Sequence, residues 1–64
     1  MDEIIKERVL YKHYKGGVYR VVSVFVSEPD GIRMVMYQQA ERPFKIYARP
    51  YTEFIVKFDE AKNG

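Results

Sequence analysis

The stretch that decides the fold is Tyr11-Lys12-His13-Tyr14-Lys15-Gly16-Gly17-Val18-Tyr19-Arg20, in which a Gly-Gly pair separates two runs rich in aromatic and basic residues. Both glycines can adopt the positive φ that a type I′ turn requires, so the stretch predicts a β-hairpin with a two-residue loop. The register that follows pairs Lys15 with Val18, Tyr14 with Tyr19, and His13 with Arg20. Because side chains alternate along a strand, Tyr14 and Tyr19 would share one face of the hairpin, and His13 would share the other with Lys15 and Arg20.

The β pattern continues beyond the hairpin. From Val9 onward, β-branched and aromatic residues dominate and turn signals recur at short intervals, which is typical of a small all-β domain. The second strand runs to about Ser27 and ends at Glu28-Pro29-Asp30-Gly31, where Pro29 suits the first central position of a turn. A strand over residues 32–38 and a loop over residues 39–43 follow.

The last third of the chain predicts a strand, a helical turn and a closing strand. Alternation over residues 44–49 places Phe44, Ile46 and Ala48 on one face and Lys45, Tyr47 and Arg49 on the other. Pro50 suits the start of a single helical or 3₁₀ turn, and residues 55–58 suit a short strand. Since five short strands bury little unless the sheet curls, we predict an all-β fold, either a strongly bent five-stranded antiparallel sheet or a barrel of the Src-homology-3 type.

Length and composition indicate one small globular domain. A chain of 64 residues, 47% of them hydrophobic and 31% charged, is globular in composition. At this length folding buries only roughly 60% of the unfolded chain's surface, so the core is thin. We expect an N-terminal extension at residues 1–8 that could form one helical turn, a β domain at residues 9–58 and a flexible tail at residues 59–64.

Several classes of chemistry are disfavoured by what the sequence lacks. It has no cysteine and one histidine, His13, so we expect no disulfide, no metal site and no cofactor. The carboxylates are scattered through turns and termini, and His13 is expected beside the cation Arg20, which would disfavour its protonation. No apolar run approaches the roughly 20 residues of a membrane span, and no signal-peptide pattern is present. We therefore expect a cytoplasmic protein that is not an enzyme and has no membrane partner.

Positive charge is concentrated in the body of the chain. Residues 8–57 carry nine Lys or Arg and four Asp or Glu, and residues 8–27 carry four cations and no acid. Such a patch would attract phosphates or an acidic protein surface. The alternative is a solvated face that serves solubility.

Two motifs resemble a family of small bacterial and phage domains of unknown function. The first is Tyr11-Lys12-His13-Tyr14-Lys15-Gly16-Gly17, similar to the family's Tyr-Arg-His-Tyr-Lys-Gly-Gly, and the second is Tyr47-Ala48-Arg49-Pro50, similar to its Trp-Val-Arg-Pro. The resemblance covers roughly residues 11–58. This chain differs from the family at Tyr47, which replaces a tryptophan. It also differs around Ser27–Asp30, which is shorter than the family's His-Ser-Glu-Thr element and has no histidine. The resemblance implies a fold and a candidate surface but no activity.

The candidate ligand-binding residues combine aromatic rings with cations from both motifs: Tyr14, Lys15, Tyr19, Tyr47 and Arg49. Tyrosine has an apolar body and a polar tip and is favoured at interfaces, and the planar guanidinium of Arg49 suits a carboxylate or phosphate. The structural alternatives are tyrosines at the rim of a thin core, an Arg49 that braces the turn through backbone carbonyls, and a His13 whose hydrogen bonds fix the hairpin.

Three function classes follow from this surface. A protein-interaction module with a tyrosine-lined groove ranks first. A binder or sequestering protein for a nucleotide or other phosphate-bearing ligand, such as a phage inhibitor of a host factor, ranks second. Single-stranded nucleic-acid binding, in which rings stack on bases, ranks third because the basic excess is modest. A monomer or weak homodimer is expected.

Overall fold

The computed structural model describes residues 4–61, which form five strands and one short helix. In chain order the elements are β1 (Leu10–His13), β2 (Val18–Val26), β3 (Arg33–Gln39), β4 (Ile46–Pro50), α1 (Tyr51–Lys57) and β5 (Phe58–Glu60). The strands pair antiparallel in the order β4-β3-β2-β1-β5. The predicted five-stranded antiparallel fold with a helical segment before the last strand is confirmed, and of its two predicted forms the structure has the open sheet.

The register predicted for the first hairpin is wrong. Tyr19 pairs with Tyr11, three residues earlier than the predicted partner Tyr14, and Lys12 pairs with Val18. A three-residue loop needs a positive φ at its end, and a two-residue loop needs a positive φ at both central residues. Glycine meets either requirement, so the two glycines alone do not select the register. Because the shift is odd, it exchanges the two faces of β1 relative to β2.

The hairpin loop consists of Tyr14, Lys15 and Gly16. The amide of Gly16 donates to the carbonyl of His13 (2.9 Å), and the amide of His13 donates to the carbonyl of Gly17 (3.0 Å). Tyr14 therefore leaves the strand, and its amide donates instead to the carbonyl of Lys57 at the end of α1 (3.0 Å). His13 moves to the face that carries Tyr19, contrary to the prediction that grouped it with Lys15 and Arg20.

The second turn, at residues 28–31, lies where it was predicted. The amide of Gly31 donates to the carbonyl of Ser27 (2.7 Å), and the φ of Gly31 is +68°. The carboxylate of Asp30 accepts a hydrogen bond from the amide of Ile32 (3.0 Å), a local contact that Asp commonly makes in turns.

The predicted closing strand over residues 55–58 is wrong, because α1 continues to Lys57 and β5 begins at Phe58. Helical spacing brings Tyr51 and Phe54 to the buried side of α1, and the rings of Phe54 and Phe58 stack at 4.1 Å. This packing outweighs the β propensity of the segment. Residues 59 and 60, expected in a flexible tail, pair with β1.

The N-terminal segment packs on the sheet. Ile5 is buried in the core, and its amide donates to the hydroxyl of Tyr51 (2.9 Å), while the amide of Lys6 donates to the hydroxyl of Tyr11 (2.9 Å). A helical turn was expected within residues 1–8. Residues 1–3 lie outside the described residues, and residues 4–8 contain a turn at 7–8 and no helix.

The core lies between α1 and one face of the sheet. Its members are Ile5, Tyr11, Val21, Val35, Tyr37, Tyr51, Phe54 and Phe58. Five of these eight buried residues are aromatic and come from β1, β3, α1 and β5, so ring packing dominates a thin core. Over residues 4–61, no helix is both long enough and apolar enough to cross a membrane.

Candidate ligand-binding pocket

An open pocket of about 260 Å³ lies on the face of the sheet that carries the core. Each of the five strands contributes to its lining, which consists of His13, Tyr19, Tyr37, Tyr47, Arg49 and Phe58. The pleat explains this convergence: Tyr37 pairs with Tyr47 across β3 and β4, and Arg49 lies two residues further along β4 on the same face. We call this site the aromatic pocket.

The rings of the aromatic pocket hold one another in place. Tyr19 meets Tyr37 edge to face at 5.4 Å, Phe58 at 5.6 Å and Tyr47 at 6.3 Å. His13 meets Phe58 edge to face at 4.8 Å. Edge-to-face pairs contribute about 0.5–1.5 kcal/mol each beyond their burial. The walls of the pocket are therefore held by contacts among their own rings.

Arg49 supplies the cation of the pocket. Its Nε donates to the hydroxyl of Tyr37 (2.9 Å), and its Nη1 lies 3.5 Å from Oε1 of Glu53 in α1. The side chain remains 29% exposed. These contacts link β4 to β3 and α1 through side chains. The structural role expected for Arg49 was different, namely hydrogen bonds to backbone carbonyls of the turn. Among residues 4–61, the partners of this guanidinium are Tyr37 and Glu53, and neither of them bonds to Nη2.

His13 accepts a hydrogen bond within the hairpin and also lines the pocket. Its Nδ1 accepts from the amide of Lys15 (3.1 Å), which leaves the proton of the neutral ring on Nε2. Desolvation, followed by the positive charges of Arg49, Lys57 and Lys15, lowers the pKa of His13 below its usual value. The predicted direction is confirmed, but Arg20 is not the cause.

Arg20 lies elsewhere because of the shifted register. It pairs with Leu10, and its Nη1 donates to the carbonyl of Arg8 (3.1 Å). The hydrogen bond from Lys15 to His13 agrees with the predicted role of His13 in fixing the hairpin.

The structure brings three of the five predicted site residues together in the pocket: Tyr19, Tyr47 and Arg49. Tyr14 and Lys15 lie outside the lining, at the tip of the first hairpin. The Tyr14 ring is 65% exposed and lies 4.7 Å from the ring of His13, and the Lys15 ammonium lies 5.7 Å from the Tyr14 ring centre. These two residues border the pocket through His13.

Three lining residues were not among the predicted ones: His13, Tyr37 and Phe58. His13 was assigned to the opposite face by the incorrect register. Tyr37 could have been found from its two-residue spacing to the apolar Val35, with which it shares a sheet face. No local sequence signal reveals Phe58, because its position depends on where α1 ends.

The surface continues beyond the aromatic pocket at two places. A depression of about 360 Å³ adjoins it at His13, and another of about 200 Å³ adjoins it at Tyr19. The first also contains Lys12 and the acidic residues Asp59 and Glu60, and the second contains Glu41 and Arg42. Each of these two depressions therefore shares one lining residue with the aromatic pocket.

A comparison with known proteins identifies the family. No curated protein and no solved structure matches the chain. A family profile described as "Protein of unknown function (DUF1653)" matches residues 9–63, which include every residue of the aromatic pocket. Because this match spans more than half of the chain, the protein belongs to the family of proteins of unknown function DUF1653.

Proposed function

We propose that this domain is a non-catalytic protein-interaction module that holds an extended segment of a partner protein over the aromatic pocket. The observation that carries the proposal is that two further depressions share a lining residue with the pocket, His13 in one case and Tyr19 in the other. A ligand that uses all three has to leave the pocket at two different points. An extended polypeptide has that shape.

The size and lining of the pocket support the same ligand. At about 260 Å³ it is below the roughly 300–1,000 Å³ of most small-molecule sites and is open to solvent, so it suits one side chain of a longer chain. Tyrosine is enriched at protein interfaces, and aromatic-lined grooves are a common way to hold extended peptides. Preordered rings such as Tyr19 lower the cost of binding a flexible segment.

A free phosphate-bearing ligand, such as a nucleotide, is the second candidate. Arg49 lines the pocket with donors to spare, and Lys15 and Lys57 lie near enough to influence the pKa of His13. A guanidinium beside aromatic faces suits a phosphate and a base. A protein of this kind would act by sequestering its ligand.

Single-stranded nucleic acid ranks third. Asp59 and Glu60 outnumber Lys12 in the depression that shares His13 with the pocket, and this excess of negative charge would repel a phosphate backbone that continues past the pocket. The net charge of the chain is only +2. Both features favour a polypeptide, which carries charge of either sign along its length.

The proposal is tested by selecting peptides from a random display library on three proteins: wild type, Tyr47→Ala and Ile46→Ala. Tyr47 lines the pocket, whereas Ile46 is its neighbour on β4 and is 58% exposed, so Ile46→Ala is a matched control. We expect a shared sequence motif on wild type and Ile46→Ala that is lost on Tyr47→Ala. Absence of any enriched motif, or equal enrichment on Tyr47→Ala, would overturn the proposal.

The two remaining candidates are tested by NMR titration with mononucleotides, cyclic nucleotides and oligonucleotides at two salt concentrations. A salt-sensitive response at Tyr14, Tyr19 and Arg49 would favour an anionic ligand. If no compound perturbs these residues, both candidates are excluded.

A further inference from the structure

We infer that the group received by Arg49 is a carboxylate, carried by an acidic side chain within the bound segment, and that Glu53 occupies this carboxylate's place until the segment binds. The inference rests on the proposed function and assigns the chemistry of its central contact. It also gives α1 a role in setting affinity, because Glu53 lies in the first turn of that helix.

The guanidinium of Arg49 is held in a fixed orientation. The hydrogen bond from Nε to Tyr37 anchors one edge of its plane to a residue that is only 4% exposed. The other edge, formed by Nη1 and Nη2, remains near the surface, since the side chain is 29% exposed. Arginine binds carboxylates through two parallel N–H donors, so an oriented guanidinium favours a planar anion.

Glu53 is a loosely held internal partner. Its carboxylate lies 3.5 Å from Nη1 of Arg49, and its side chain is 54% exposed. Charge-assisted hydrogen bonds between a cation and a carboxylate are usually shorter, at about 2.7–2.9 Å. An exposed ion pair of this kind contributes little to stability, so Glu53 can be displaced at small cost. The group that replaces it without changing the charge balance is another carboxylate.

A second donor is available for the incoming oxygen atoms. His13 lines the same pocket, and because its Nδ1 accepts a hydrogen bond from Lys15, its Nε2–H is free to donate in the neutral ring. Once Glu53 is displaced, the single positive charge of the guanidinium and a neutral imidazole together match a singly charged ligand. A phosphate, with a charge of about −1.5 to −2 near neutral pH, is matched less well.

The depressions that adjoin the pocket indicate where the carboxylate comes from. Since one further depression shares His13 with the pocket and another shares Tyr19, a bound chain that occupies both extends in two directions from the contact with Arg49. A chain terminus would leave one of these depressions empty. The carboxylate therefore belongs to an internal aspartate or glutamate, whose aliphatic stem lies against the rings of Tyr19 and Tyr47.

The experiment uses glutamate blocked at both ends, N-acetyl-glutamate N-methylamide, as the probe. Binding to the full chain is followed by NMR at the Nε–H of Arg49 and the ring of Tyr47. The comparison probes are the blocked glutamine, the blocked phosphoserine and N-acetyl-alanine with a free carboxyl end. The variants are Glu53→Gln, Arg49→Gln and the matched control Glu28→Gln, which removes an exposed carboxylate in the distant β2–β3 turn.

We expect Glu53→Gln to tighten binding of the blocked glutamate, by up to about fivefold, because it removes the competing anion. Glu28→Gln should leave the affinity unchanged, and Arg49→Gln should abolish the response of the Tyr47 ring. The blocked glutamine should bind most weakly to wild type. Equal affinities in Glu53→Gln and Glu28→Gln, or no response of wild type to the blocked glutamate, would overturn the inference.

Stronger binding of the blocked phosphoserine or of N-acetyl-alanine would also overturn it, because the ligand would then be a phosphate or a chain terminus. Peptide selection separates this failure from failure of the proposed function. Enriched peptides that contact the pocket without an acidic residue would sustain the protein-interaction proposal and contradict the carboxylate. A Glu53-dependent response to the blocked glutamate without any enriched peptide would sustain the carboxylate site and contradict the protein-interaction proposal.

Discussion

The Nε of Arg49 donates a 2.9 Å hydrogen bond to the hydroxyl of Tyr37, and this contact joins the core to the aromatic pocket. The ring of Tyr37 is 4% exposed and packs against Phe54 and Phe58, while its hydroxyl reaches the pocket. Tyr37 contacts both the core and the pocket because β3 pairs with β4. The pairing of Tyr37 with Tyr47 places Arg49 of β4 beside the core. The orientation of the pocket cation therefore depends on core packing.

Replacing Tyr37 by phenylalanine tests this link. The variant keeps the ring and removes the acceptor for Arg49, so we expect a loss of about 1 kcal/mol in the free energy of unfolding, measured by urea denaturation. Tyr47→Phe is the control, since Tyr47 is 40% exposed at the pocket, and its loss should stay within about 0.5 kcal/mol. Equal losses in the two variants would contradict the assigned role of the Tyr37 hydroxyl.

The core of the domain depends on Phe54. Its side chain is fully buried and contacts the rings of Tyr11, Tyr37 and Phe58. We expect Phe54→Ala to cost about 3–5 kcal/mol, a large part of the stability of a domain this small. Val56→Ala in the same helix removes a side chain that is 79% exposed and should shift the denaturation midpoint little. Similar midpoints for both variants would disprove the packing of α1 on the sheet.

The two glycines of the first hairpin should differ in their tolerance of alanine. Both have positive φ, +107° for Gly16 and +92° for Gly17, so either substitution strains the backbone, at a cost on the order of 1–2 kcal/mol. At Gly17 the added Cβ would also lie 3.2 Å from the ring of Tyr19, whereas at Gly16 it meets nothing within 4 Å. We expect Gly17→Ala to be the less stable variant and to shift the Tyr19 ring resonances. The opposite order of stability would argue against the observed loop.

Stability should decrease as the pH falls below the ordinary His13 pKa of 6.5. Desolvation and the charges of Arg49, Lys57 and Lys15 lower the pKa of His13 in the folded state. The unfolded chain therefore takes up a proton first, and the free energy of unfolding declines from pH 6.5 toward the folded-state pKa. The decline over this window should be smaller in His13→Gln. An NMR titration that gives His13 a folded pKa at or above 6.5 would contradict this expectation.

Some turns and strands could be predicted because single residues impose their geometry. Pro29 and Gly31 fix the second turn through their allowed φ values, and that turn lies where it was expected. The Gly16-Gly17 pair is compatible with more than one loop length, and the observed register aligns Tyr19 with Tyr11 on the core side. Packing across the sheet selects this register, so a local sequence pattern does not predict it.

Only part of the candidate site could be predicted, again because local patterns do not show long-range packing. Tyr47 and Arg49 were found from strand alternation, which depends only on neighbours in sequence. His13 was misplaced by the register, and Phe58 depends on the end of α1, which the packing of Phe54 sets. Residues that enter the pocket through long-range pairing could not be recovered from spacing alone.

The most direct test of the account is to locate an enriched peptide on the protein by intermolecular NOEs. We expect NOEs from the peptide to the rings of Tyr19 and Tyr47, a shifted Arg49 Nε–H resonance, and weaker binding to Tyr47→Ala than to Ile46→Ala. Peptide contacts confined to residues outside the aromatic pocket, with equal affinity for the two variants, would contradict it.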